Sequence, residues 1–146
     1  MRLKIYLVFL LCLINLDAEK KDPGTVVLTF DDSVASQANY VAPLLKKYGF
    51  GATFFITEGF GFAKDKKNYM TWDQIKKLHA DGFEIGNHTH HHASVARQKL
   101  EHLRADVEYI EKQCEKHGIP RPISFCYPGY KTSKACVELL RERDYR

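Results

Sequence analysis

Four short runs rich in β-branched and aromatic residues are each followed by a stretch whose apolar residues recur at helical spacing. Strand and helix alternating in this way restrict the chain to a parallel α/β sheet or barrel, with functional groups collected in the loops after the C-terminal ends of the strands. Residues 25–30 (TVVLTF), bounded by Pro23-Gly24 and Asp31-Asp32-Ser33, are expected as a buried strand. A helix over 36–48 follows, carrying Tyr40, Val41, Leu44 and Leu45, with Lys46 and Lys47 in its last turn and Gly49 as its C-cap. Residues 52–57 (ATFFIT) repeat the strand pattern. Thr71 with Gln74 forms a capping box ahead of Ile75 and Leu78, in a helix that ends near Gly82. Residues 83–87 (FEIGN) form the third strand, and Val107, Ile110 and the Glu108/Lys112 pair mark a long helix closing at Gly118. The fourth unit pairs residues 123–127 (ISFCY) with a helix capped by Thr132 and carrying Val137, Leu139 and Leu140. Residues 59–68 read as an exposed, solvated loop. A sheet or barrel of this kind needs further strands after its last helix, so the fold is expected to be truncated at the C-terminus.

Met1, Arg2, Leu3 and Lys4 precede an apolar stretch over residues 5–16, a basic and then a hydrophobic region that together suit a secretory signal peptide. The stretch is shorter than the roughly 20 residues that cross a bilayer as a helix. Residues 1–18 are therefore expected to be removed near Ala18, leaving residues 19–146 as one domain, secreted or in the cell envelope, with no stable membrane span. The net charge of +4 is scattered, without a basic stripe, so nucleic acid is not an expected partner. Cys114, Cys126 and Cys136 include no CxxC pair and are expected as buried, unpaired thiols instead of a cysteine zinc site. Oligomeric state is not legible.

Asp31 and Asp32 directly follow the first strand, where adjacent carboxylates can face different partners. Alone, such a pair is more often a helix cap with a solvated neighbour. The third strand changes the balance by delivering His88, Thr89, His90, His91 and His92 to the same rim. Two imidazoles and one carboxylate leave coordination positions for water and substrate, an arrangement suited to a hydrolytic metal. His79, His102 and His117 fall on helices and are expected at exposed or core-edge positions, and Trp72 is expected to pack on the sheet.

The segments TFDDS (29–33) and NHTHHH (87–92) resemble the first two motifs of the polysaccharide deacetylase family, the nodulation-type chito-oligosaccharide deacetylase homology domain. The resemblance covers residues 25 to about 130 and implies a distorted (β/α) barrel that removes N- or O-linked acetyl groups from a carbohydrate polymer. It assigns Asp31 as general base and Asp32, His88 and His92 as ligands of a divalent metal, zinc first and cobalt or nickel as alternatives. Thr89 is implied as a supporting residue, with His90 and His91 as non-ligands. The turn Tyr127, Pro128, Gly129, Tyr130 resembles the third motif and is the expected oxyanion and substrate loop, but Cys126 stands where that motif has an Arg that orients the catalytic Asp. Arg97 or Arg121 would have to substitute, although each reads as a surface residue. The family's later motifs, including a histidine general acid, are expected beyond Arg146. The leading expectation is thus a metal-dependent hydrolase acting on an acetylated glycan. The alternatives are a deacylase of a small amide and a non-catalytic glycan- or metal-binding relative of the same fold.

Overall fold

Pairing of the first three β-rich runs gives a parallel sheet in the computed structural model, which describes residues 24–146. The expected signal peptide lies outside the described residues. Strands β1 (Thr29–Phe30), β2 (Thr53–Ile56) and β3 (Glu84–Asn87) lie in the order β1-β2-β3, with Phe30 opposite Phe54 and Ile56 opposite Asn87. Helices α1 (Ala42–Tyr48), α2 (Trp72–Ala80), α3 (Leu100–Lys116) and α4 (Lys134–Glu142) follow the runs in turn. The Thr71/Gln74 capping box forms as expected.

Burial of β2 and β3 between helices builds the main core, in which Phe54, Ile56, Met70, Ile75 and Ile110 are fully buried. Each such side chain removed from water contributes about 1.5–3 kcal/mol. Gly86 is required here, because a Cβ at this position would meet the Phe55 ring of the neighbouring strand at 2.3 Å. A second cluster, Val95, Leu103, Val107, Cys136, Leu139 and Leu140, joins α3 to α4. Arg143 fastens the same pair of helices through Glu108 and Glu111, and Arg104 through both carboxylate oxygens of Glu142. Cys114, Cys126 and Cys136 are unpaired thiols, the first and last buried.

The first strand is short: only Thr29–Phe30 pair as strand, and Val26 and Val27 are 83% and 76% exposed, because β1 is an edge strand among the described residues. Val26 and Leu28 line an apolar groove with Leu44, Tyr48 and Phe50 instead of a closed core. The helix expected over 36–48 begins as a π-helical turn, Gln37–Val41. Pro43 has no N–H to donate and its ring crowds the preceding turn, which the wider turn relieves. The fourth strand is reduced to one parallel bridge, Asn87 with Phe125, flanked by Pro120, Pro122 and Pro128, none of which can donate to a ladder. Its helix is capped one residue later than expected, by the Ser133 hydroxyl, which accepts from Cys136 N–H.

The loop expected as solvated over 59–68 is also folded inward. Phe62 is buried, and residues 33–35 pair antiparallel with 68–70 through Ala35 N–H to Asn68 O at 2.8 Å and Met70 N–H to Ser33 O at 2.8 Å. Strand-like pairing of the loop with the segment after β1 satisfies backbone groups that solvent would otherwise have to reach.

Candidate metal centre

Asp31 and Asp32 leave the end of β1 and His88 leaves the end of β3, so a parallel sheet sets both segments on one rim. Thr57, at the end of the intervening β2, ties them together. Its N–H donates to the Ser33 hydroxyl at 3.0 Å and its carbonyl accepts from that hydroxyl at 2.8 Å, while its own hydroxyl donates to His90 O at 3.1 Å. Gly59 N–H donates to the same Thr57 hydroxyl at 3.0 Å. Gly59 approaches the histidine loop so closely that a Cβ would lie 2.8 Å from His92 Cβ and 3.0 Å from His91 O.

The histidine loop is held from the other side by Asn87, which is fully buried. Its amide donates to Val107 O at 2.9 Å and to Tyr145 Oη at 2.8 Å, and its oxygen accepts Thr89 N–H at 2.9 Å. Thr89 in turn accepts His92 N–H on its hydroxyl at 3.2 Å. Asp32, Ser33, Thr89 and His92 all have positive φ, between 54° and 70°. Left-handed backbone at residues other than glycine costs of order 1–3 kcal/mol each and persists where surrounding contacts over-determine it. The hydrogen bonds of Ser33, Thr57 and Asn87 supply those contacts.

The result is a tight convergence of acceptors. Asp32 Oδ1 lies 3.5 Å from His88 Nε2 and 3.2 Å from His92 Nε2, and the two rings stand 4.7 Å apart. His88 Nδ1 lies 2.8 Å from Cys126 O. A carbonyl can only accept, so Nδ1 donates this bond, which in a neutral ring leaves the Nε2 lone pair facing Asp32. Burial, and next the neighbouring His88, lower the His92 pKa, which keeps this imidazole neutral near pH 7. Asp31 Oδ1 and Asp32 Oδ1 are buried acceptors without a hydrogen-bond partner among the described residues. Orphaned carboxylate oxygens beside imidazole lone pairs are stable only when a cation or a donor joins them, so this donor set fits a divalent metal.

Asp31 stands beside this group with a different partner. Its Oδ2 accepts the Cys126 thiol at 3.3 Å. Burial, and then the bond to Asp31, push the Cys126 thiol up to about 12, so it remains a protonated donor. Arg121 instead lies against Glu111 and Arg143 O, in the α3–α4 network, and does not take the place of the motif arginine. In the expected oxyanion loop, Pro128 is buried and has no N–H, and Tyr130 N–H is taken by Tyr127 O at 3.1 Å. Tyr130 is 96% exposed, and the Tyr127 ring packs edge-on against Phe125 in the second cluster. Tyr127 and Gly129 are the residues of this turn whose amides are left as candidate donors.

Phe60 is a further constituent not anticipated from the sequence. Its ring stands 4.5 Å from the His92 ring and stacks on Tyr69 at 6.3 Å. The available signal was its position between Gly59 and Gly61. Trp72 packs as expected, stacking on His117 at 5.0 Å, and also donates to Glu58 at 2.6 Å.

A family model described as polysaccharide deacetylase matches residues 18–146. The chain belongs to the polysaccharide deacetylase family. It is 30% identical over 122 residues to the peptidoglycan-N-acetylglucosamine deacetylase of Bacillus cereus, covering 83% of this chain and 54% of that one. Among solved structures it resembles the Streptococcus pyogenes deacetylase PplD in complex with acetate, with a TM-score of 0.76, 22% identity, and coverage of 88% of this chain and 57% of that one. It also resembles BA3943 of Bacillus anthracis, a pseudoenzyme of the carbohydrate esterase 4 family, with a TM-score of 0.70, 18% identity, and coverage of 83% and 41%. The chain thus shares the α/β fold of these proteins, and its described residues contribute a three-stranded parallel sheet to a fold of the (β/α) barrel type. The chain spans about half the length, or less, of the relatives it matches. Among the described residues no helix is long and apolar enough to cross a membrane.

Proposed function

We propose that this polysaccharide deacetylase is a divalent-metal-dependent hydrolase that releases acetate from an acetylated glycan of the cell envelope or extracellular space. The observation that carries the reading is the convergence of Asp32 Oδ1 with the Nε2 atoms of His88 and His92, beside the orphaned Asp31 Oδ1. Asp32, His88 and His92 hold the metal, and imidazole with carboxylate favours zinc while admitting cobalt or nickel. When bound, the ion polarises an acetyl carbonyl and acidifies water. Asp31 takes the proton of the attacking water through Oδ1, while the Cys126 thiol keeps Oδ2 occupied and so orients the carboxylate. The Gly129 amide is the proposed donor to the developing oxyanion, within the loop Tyr127, Pro128, Gly129, Tyr130. The B. cereus relative's name favours an envelope polymer bearing N-acetylglucosamine as substrate. The proposed leader over residues 1–18 would deliver residues 19–146 to that compartment.

Acetate release from a panel of peptidoglycan, chitin oligomers and acetylated xylan tests the reading. Release that needs zinc or cobalt, is abolished by chelator, and is lost in Asp31→Asn supports it. Undiminished release by Asp31→Asn refutes the assigned base.

A second reading, glycan or metal binding without turnover, is favoured by one specific observation. The carboxylate assigned as base receives a thiol where the family motif has an arginine. Zinc bound through His88 and His92 with no acetate release, and release gained in Cys126→Arg, would identify it.

A further inference from the structure

The histidine loop carries two imidazoles that the proposed metal centre does not use. His90 and His91 sit with their rings 3.9 Å apart, and with Asp106 of α3 they offer three ligand atoms within 4.8 Å of one another. We propose that His90, His91 and Asp106 form a second divalent-cation site, sharing no ligand with the Asp32–His88–His92 group and suited to a borderline transition ion such as Zn(II).

Three observations carry this. Asp106 is a buried carboxylate whose side chain faces no lysine or arginine among the salt bridges of the described residues. Its Oδ1 lies 2.7 Å from His91 Nδ1 and its Oδ2 accepts Gln98 Nε2 at 3.0 Å, so among the described residues its ion-pair partner is an imidazole, neutral when deprotonated. Buried carboxylates are normally paired with a cation or a metal. His90 is also pre-positioned. Its ring lies flat on Tyr109 at 3.6 Å and 11°, its N–H donates to Asp106 O, and its carbonyl accepts the Thr57 hydroxyl. A simple His91–Asp106 ion pair accounts for two of the three residues, and packing on Tyr109 orients the His90 ring without engaging its nitrogens. Finally, the His91 side chain is 67% exposed, which gives an ion a path from solvent and leaves room for water as the remaining ligands.

One carboxylate and two imidazoles match the donor preference of zinc, copper and nickel, not that of calcium or magnesium, which take oxygen. The inference does not depend on the deacetylase reading, since it concerns stoichiometry and a different ligand set.

Zinc content of the purified full chain, measured by equilibrium dialysis with the apo-protein as reference, tests it. Wild type is expected to bind two ions per chain, His91→Ala one, His88→Ala one, and the double variant none. His91 is largely exposed, so its truncation leaves the fold intact. Asp106→Asn keeps the side-chain shape and is expected to weaken the second ion more than about tenfold, because losing a ligand exceeds the loss seen for outer partners. Zinc binding that His91→Ala leaves unchanged, or a single wild-type ion that His88→Ala removes, overturns the second site, whereas a single ion lost in His91→Ala alone supports it and counts against the Asp32–His88–His92 group. Failure of acetate release with two ions retained would count against the proposed activity alone.

Discussion

Replacing Asn87 with alanine is expected to destabilise the domain by about 3–5 kcal/mol and to loosen the proposed metal centre with it, an order-of-magnitude sum built from hydrogen-bond costs. The side chain makes three hydrogen bonds while fully buried, but the three partners do not fare alike. Val107 lies within α3 and Tyr145 Oη still donates to Glu111, so each loses an interaction and keeps another. Those two bonds cost about 1 kcal/mol each. Thr89 N–H, which donates to the Asn87 oxygen, would be stranded in the interior, at about 1–3 kcal/mol. Against a total stability of about 5–15 kcal/mol this is a large fraction. Urea unfolding of wild type and Asn87→Ala at unchanged m measures it, with zinc affinity titrated in parallel. Because Thr89 holds His92 N–H, the affinity is expected to fall too. Asn87→Asp separates the contributions: it keeps the acceptor for Thr89 but turns a second acceptor toward Val107 O. A loss below about 1 kcal/mol in Asn87→Ala, with unchanged zinc affinity, would show that the left-handed Thr89 is held by other contacts and refute the reasoning.

Gly59→Ala is expected to weaken zinc binding at least about tenfold with little change in unfolding free energy, since displacements of this order at a catalytic centre cost up to a hundredfold. Its Cβ would stand 2.8 Å from His92 Cβ where ordinary contact starts at 3.4 Å, so the histidine loop has to move; unchanged affinity would count against this. The thiols Cys114 and Cys136, which burial pushes up to about 12 and about 11, are expected to resist iodoacetamide at pH 8 and to react once urea unfolds the chain. Mass spectrometry of alkylated peptides reads that outcome, and rapid labelling of the native protein would contradict it.

The alternation of strands and helices was legible because each β-rich run ends in turn residues and each helix shows apolar spacing, and these local preferences agree with the tertiary result. The segments that place Asp31, Asp32, His88 and His92 on one rim were legible for the same reason. What escaped depends on partners distant in sequence. Val26 and Val27 have strand composition, yet no neighbour pairs with them among the described residues. Phe60 looks like a loop residue until the antiparallel pairing of 33–35 with 68–70 folds its loop over His92. Asn87 reads as the last residue of a strand, and only the packing of α3 and Tyr145 against it turns it into an anchor. Pro43 is a local feature, and it accounts for the π-helical turn that precedes α1.

The clamp formed by Thr57 bears on timing. Its bonds to Ser33, His90 and Gly59 join the segments that carry the metal-facing residues through the backbone of a central strand, with no ion in the connection. Ligand geometry is therefore set when the sheet closes, before any metal arrives. An ion that entered the proposed centre would find its ligands already ordered by folding, so its removal is expected to leave the domain folded. In this respect the protein would differ from small metal-nucleated domains, whose chains collapse when their ion is withdrawn.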